Sequence, residues 1–118
     1  MGLAFDLEDR DEVRLGLVVL QSDETIENDF RRVIPPEATL HVSRVPSGQD
    51  VTTETLAEME NHIGRSASLL PLPASFAAVG YGCTSGTSVI GINRVAEFVR
   101  SGTTTAAVTE PVSALLAA

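Results

Sequence analysis

The sequence predicts an α/β domain: a parallel, doubly wound sheet of four strands held between two layers of helices. Three observations predict it. Short, continuous apolar runs of strand length recur along the chain. Between them the apolar residues fall at helical spacing, and Gly, Pro or capping residues mark nearly every junction.

Leu15-Gly16-Leu17-Val18-Val19-Leu20 is the first such run, as expected for a strand covered on both faces. Ser22 and Asp23 are good helix caps, and Ile26, Phe30, Val33 and Ile34 follow at helical spacing until Pro35-Pro36 ends the helix. Ala38 to Val45 reads as a second strand with Pro46-Ser47-Gly48 as its exit. Thr52 or Thr53 caps a second helix with the stripe Leu56, Met59, Ile63 and Ala67, stopped by Pro71-Leu72-Pro73. Phe76 to Gly80 is the third strand and runs into a Gly-rich loop, Tyr81 to Ser88. A third helix then places Ile92, Val95, Ala96 and Val99 on the core, closed by Ser101-Gly102. Thr104 to Val108 is the fourth strand, and Thr109 caps a last helix with Pro111 in its first turn. The pattern βαβαβαβα implies a Rossmann- or flavodoxin-like sheet, three layers deep.

Composition narrows the function. The 118 residues make one domain over residues 13–118, preceded by an acidic arm over residues 1–12. Eight basic residues face sixteen acids, for a net charge of −8, which argues against nucleic acid or an anionic membrane as partner. The acidity is one-sided: residues 1–60 hold fourteen acids and five arginines, residues 61–118 two acids and three arginines. All eight basic residues are arginine, so Schiff-base, pyridoxal-phosphate and phosphate-loop lysine chemistry are excluded. One cysteine allows no intrachain disulfide, and two separated histidines do not suggest a metal site. No apolar run is long enough to span a membrane, and the start lacks a secretory pattern, so the expected compartment is the cytoplasm.

In a sheet of strand order 2-1-3-4, ligands collect where the order reverses, between strands one and three. That would set Gln21-Ser22-Asp23 beside Tyr81 to Ser88. Both segments open helices, whose N–H groups and positive dipole ends suit an anion. Cys83, just before a helix and among N–H donors, is favoured as a thiolate there. The alternative is a small buried hydrophobe. Tyr81 reads equally as a donor or as packing at a strand end, whereas Arg44 reads as a solvated surface arginine ahead of a carboxylate partner. Neither His41 nor His62 is oriented towards Cys83 by the pattern, and no Gly-x-Gly-x-x-Gly or Gly-x-Ser-x-Gly motif is present.

Several segments carry a specific likeness: Gly16-Leu17-Val18-Val19; Ser22-Asp23 with Thr25; Phe30-Arg31-Arg32 with Ile34-Pro35; Arg44-Val45-Pro46; Gly82-Cys83-Thr84-Ser85-Gly86; and Thr109-Glu110-Pro111 with Ala114. In this order they resemble the opening of the aspartate/glutamate racemase superfamily, within it the branch of maleate cis-trans isomerases and arylmalonate decarboxylases. The resemblance covers residues 13–118 and implies the N-terminal half of an enzyme made of two similar α/β halves, free of cofactors, with its site between them. It implies Cys83 as nucleophile or base, Thr84 and Ser85 as anion binders, and the first turn, Ser22 and Asp23, as further substrate contacts. The decarboxylases often carry Gly where Cys83 stands, which leans the reading towards isomerase or racemase chemistry on a small carboxylic or dicarboxylic acid.

Two departures qualify it. Leu20-Gln21-Ser22-Asp23-Glu24 stands where the isomerases usually read Pro-Ser-Ser-Asn-Thr, so Asp23 replaces an Asn that holds a substrate carboxylate. A substrate with an amine or hydroxyl at that point, or a protonated Asp23, suits the site better than maleate, and ectoine-utilisation relatives are also similar. The second departure is the second half, which must come from elsewhere: a covalent continuation, a partner chain, or self-association. A decarboxylase-like lyase, a non-catalytic anion-binding module and an inactive fragment remain the alternatives.

Overall fold

A computed structural model of the chain describes residues 2–4, 12–47, 50, 52–72 and 75–118. Most of the acidic arm, with Asp6, Glu8, Asp9 and Asp11, lies outside the described residues, as do Gly48 and Pro73. Its last residue, Glu12, accepts a hydrogen bond from Thr39 and lies 3.7 Å from Arg14.

Four strands form one sheet: β1 (Val13–Leu20), β2 (Ala38–Val45), β3 (Ser75–Tyr81) and β4 (Thr104–Thr109). All pairings are parallel and the order is β2-β1-β3-β4, the doubly wound arrangement expected from the sequence. Side chains of β1 alternate between the two faces. Leu17 and Val19 join a small cluster with Leu40, against Ile26 of the first helix, α1 (Ile26–Val33), and Ile34 just after it. Val18 joins the larger cluster on the other face, with Val45, Ile63, Leu70, Val79, Val95 and Val99. That larger core lies under α3 (Glu60–Ala67) and α5 (Ile92–Gly102).

Helix α1 is the thinner cover. None of its residues is buried, and Val33, expected to face the core, is 77% exposed. Its ends suit the helix dipole, with Glu27 and Asp29 in the first turn and Arg31 and Arg32 in the last. Ile34 is extended, as the residue before Pro35 must be.

The second expected helix is two: α2 (Thr53–Glu58) and α3, separated at Met59. Thr52 caps α2 in a capping box with Thr55. Met59 keeps helical dihedrals (φ −57°, ψ −26°), so the apolar stripe keeps its phase across the break. The third expected helix also begins earlier and is split, into α4 (Thr84–Ile90) and α5. Gly91 divides them at φ +102°, a conformation that residues with a side chain rarely adopt. α3 and α5 meet at a glycine seam: a Cβ on Gly102 would collide with the Gly64 carbonyl and stand 2.7 Å from the Ser68 nitrogen. The last helix, α6 (Pro111–Ala117), is capped by Glu110 and not by the expected Thr109, because the Glu110 carboxylate accepts from the Ser113 N–H at 2.9 Å. Among the described residues, no helix is long and apolar enough to cross a membrane.

Candidate functional site at the switch point of the sheet

The order of the strands reverses between β1 and β3, and two turns leave the sheet there. The Gly82 N–H donates to the Val18 carbonyl at 2.8 Å, so pairing between the strands continues into the second turn.

The first turn, residues 21–25, binds itself. Asp23 Oδ1 accepts from the Thr25 and Ile26 N–H groups, both at 2.9 Å, and thereby caps α1 from outside its formal cap position, where Thr25 makes no side-chain bond. Arg44, at the end of β2, closes the turn from the other side. Its Nη1 donates to the carbonyls of Leu20 and Asp23, both at 2.8 Å, and its Nη2 pairs with Glu27. Arg44 is exposed, as its reading as a solvated arginine expects, and it also pairs with a carboxylate, which belongs to the protein. Ser22 is exposed, and its Oγ accepts from Ser47 at 3.2 Å.

The second turn is shorter than the Gly-rich loop expected over Tyr81 to Ser88. Tyr81 still belongs to β3, only Gly82 and Cys83 connect, and Thr84 already begins α4. The reason is local. Cys83 occupies the cap position and its Sγ accepts from the Gly86 N–H at 3.2 Å. Thr87 Oγ1 donates back to the Cys83 carbonyl at 2.7 Å, and Ser88 Oγ to that of Thr84 at 3.0 Å, so hydroxyls that could have opened a loop fasten a helix. Thr84 and Ser85 are exposed in its first turn, at the positive end of the helix.

Cys83 is 8% exposed and points into the larger core, beside Tyr81 and Met59. The Tyr81 hydroxyl, itself buried, donates to Met59 Sδ at 3.9 Å. Its ionisation is pushed well above the ordinary tyrosine range, first by burial and then by the neighbouring Cys83, so the phenol is a donor at neutral pH.

The structure therefore brings Cys83, Thr84 and Ser85 into one turn of chain and sets the Ser22–Asp23 turn at the end of the neighbouring strand, with one carboxylate oxygen of Asp23 already engaged by the backbone. Neither histidine joins them. His41 packs edge-on to Phe76 with ring centroids 5.9 Å apart. His62 lines a cleft of about 220 Å³ with Ser47, Glu58 and Met59. A second cavity of about 250 Å³ opens between the first turns of α1 and α6, lined by Leu17, Ile26, Phe30, Tyr81, Gly82 and Pro111. Sequence reasoning did not find it, since it depends on how far α1 leaves the sheet uncovered.

No protein-family model matches the chain, and no curated protein does. Solved structures do. The maleate isomerase Iso from Pseudomonas putida S16 is similar over 90% of this chain and 48% of its own, with 25% identity and a TM-score of 0.63. A cysteine-to-alanine variant of that enzyme, solved with maleate, is similar over 90% of this chain and 47% of its own, with 26% identity and the same TM-score. The chain spans about half the length of these structures. Its likeness is thus to maleate isomerase, of the aspartate/glutamate racemase superfamily, and it matches nearly the whole of this chain to about half of that one.

Proposed function

We propose that this chain is the N-terminal half of a cofactor-independent isomerase or racemase acting on a small carboxylic or dicarboxylic acid, with Cys83 as its thiolate. One observation carries the reading: the sole cysteine caps a helix at the switch point of a fold shared with maleate isomerase. The Gly86 N–H steadies the sulfur, and Thr84 and Ser85 offer hydroxyls and a helix N-terminus to a substrate carboxylate. In an isomerisation of a cis double bond, the thiolate adds to one carbon, the new single bond rotates, and loss of the thiolate restores the double bond in trans geometry. In a racemisation it removes the proton next to the carboxylate, and a second acid returns a proton from the opposite face.

That second group belongs to a complementary α/β half, supplied covalently, by a partner chain, or by a second copy of this one. Ser22 and Asp23 belong to the same crevice, with Asp23 acting chiefly through the turn it shapes, because its Oδ1 already accepts two backbone N–H groups. The test is alkylation of Cys83, the only thiol in the chain. Iodoacetamide should react with it much faster than with a free thiol at neutral pH, and maleate or a related dicarboxylate should protect it. Ordinary reactivity without protection would overturn the proposal and leave Cys83 as a packing residue.

A further inference from the structure

Tyr81 is a buried polar residue that the proposed chemistry does not use. Its hydroxyl donates to a thioether, a weak acceptor, at a distance of 3.9 Å. A buried phenol ordinarily finds a better partner. A second sulfur, that of Cys83, stands close by. The point at which a side chain on Gly86 would begin lies 2.8 Å from the Tyr81 hydroxyl, 3.0 Å from Cys83 Sγ and 2.9 Å from Met59 Cε. Three side chains converge on the space that a glycine leaves empty, and two of them carry sulfur.

We propose that Tyr81 is a positioning residue for Cys83: its hydroxyl proton rests on Met59 Sδ while Cys83 is a thiol and turns to Cys83 Sγ when the thiolate forms. The proposal rests on the reading of Cys83 as the reactive group. A phenol has one proton to donate, so two sulfur acceptors compete for it. A neutral thiol and a thioether are both weak acceptors. A thiolate is a strong one, and hydrogen bonds to charged groups are about twice as strong as neutral ones. The pocket is nearly dry, with Tyr81 1%, Met59 3% and Cys83 8% exposed, so an ionised sulfur there needs more than the single N–H of Gly86. The thiol proton leaves to water. No covalent bond of Tyr81 forms or breaks, and only its hydrogen bond changes direction.

The chain is well suited to the experiment, because Cys83 is its only cysteine and Tyr81 its only tyrosine, with no tryptophan. Alkylation by iodoacetamide is followed from mildly acidic to mildly alkaline pH in the unaltered chain, in Tyr81→Phe and in Met59→Leu. Tyr81→Phe should react about tenfold more slowly at neutral pH, with its profile displaced to higher pH, the loss expected for one hydrogen bond to a charged group. Met59→Leu fills the same space without the competing acceptor and should keep at least the original rate. Glu58 and His62 beside Met59, and Glu110 at the start of α6, are present in all three chains and cancel in the comparison.

If the unaltered chain is fast and Tyr81→Phe matches it in rate and profile, the role of Tyr81 is overturned and the reading of Cys83 stands. If the unaltered chain itself reacts like a free thiol, the reading of Cys83 fails first. An equal loss in Met59→Leu would mark the effect as packing and overturn the proposal. A measurement without substitution guards against misfolded variants. The fluorescence of the lone tyrosine should change over the same pH range as the alkylation rate, and an unchanged signal overturns the proposal.

Discussion

The two turns that leave the middle of the sheet use their polar groups in opposite directions. Between β1 and α1 they turn inward. Asp23 caps the helix, and Arg44 ties the turn to Glu27 and to two backbone carbonyls at 2.8 Å. Between β3 and α4 the buried side, Cys83 with Thr87, is bonded to the chain, while Thr84 and Ser85 stand exposed at the helix start. A polar strand-end turn is therefore no evidence of a ligand by itself. What distinguishes the second turn is the pairing of a buried sulfur with unengaged hydroxyls around one helix N-terminus.

The largest expected effect breaks the second turn from inside. Gly86→Ala would place a methyl group within 3.0 Å of the Tyr81 hydroxyl, Met59 Cε and Cys83 Sγ. Crowding of this kind costs about 2 kcal/mol, with a fall in melting temperature on the order of 10 °C. Thermal unfolding measures it, and an unchanged or raised melting temperature would show that the three side chains can give way. The next effect falls on the first turn. Asp23→Ala removes the acceptor for two N–H groups and should lose about 1 kcal/mol in urea unfolding. Asp23→Asn keeps an acceptor and should stay within about half of that. Equal losses in both would mean that the charge of Asp23 matters to the helix more than its geometry.

The smallest effect on stability sharpens the comparison most. Thr84→Ala and Ser85→Ala, at exposed positions, should each stay within about 0.5 kcal/mol. Each should nevertheless weaken the protection of Cys83 by a dicarboxylate, measured by alkylation with and without it. Retained protection would move the anion-binding role elsewhere in the crevice.

Alkali offers a further check. The ionisation of Tyr81 is raised in the folded chain, so its contribution to stability is complete below the ordinary tyrosine value of about 10 and declines as the pH rises beyond it. Absorbance of the lone tyrosine should therefore show no phenolate at about pH 10, and ionisation and unfolding should follow together above it. Phenolate appearing at the ordinary pH in a folded chain would show that the hydroxyl is open to water.

The strands were legible because burial on both faces leaves a continuous apolar run such as Leu15–Leu20, which few other settings produce, but their order is not encoded in such runs. The division of the helices was not. Met59 stays helical in its dihedrals, so Leu56, Met59, Ile63 and Ala67 hold one stripe across two helices. Gly91 stands alone between Ile90 and Ile92, with none of the clustered turn residues that signal a break. At the site, Cys83 before a helix could be read directly. The destination of the Asp23 carboxylate could not, since a cap for one's own helix and a contact for a ligand call for the same residue. The grouping of Tyr81, Cys83 and Gly86 needed three dimensions. A strand residue, a cap and a helical glycine share no sequence periodicity, and only the strand-to-helix turn brings them to one point.

The glycine seam between α3 and α5 also governs how freely this chain can be redesigned. At residue 102 even a methyl group meets backbone atoms of the opposing helix, which have no alternative rotamer to adopt, and at residue 64 it meets the Ser101 hydroxyl at 2.8 Å. At residue 91 nothing lies within 4 Å, and only the backbone dihedral resists a side chain. Both positions are thus closed to variation beneath one helical layer, for different reasons: the seam by the atoms that face it, the joint between α4 and α5 by its backbone conformation.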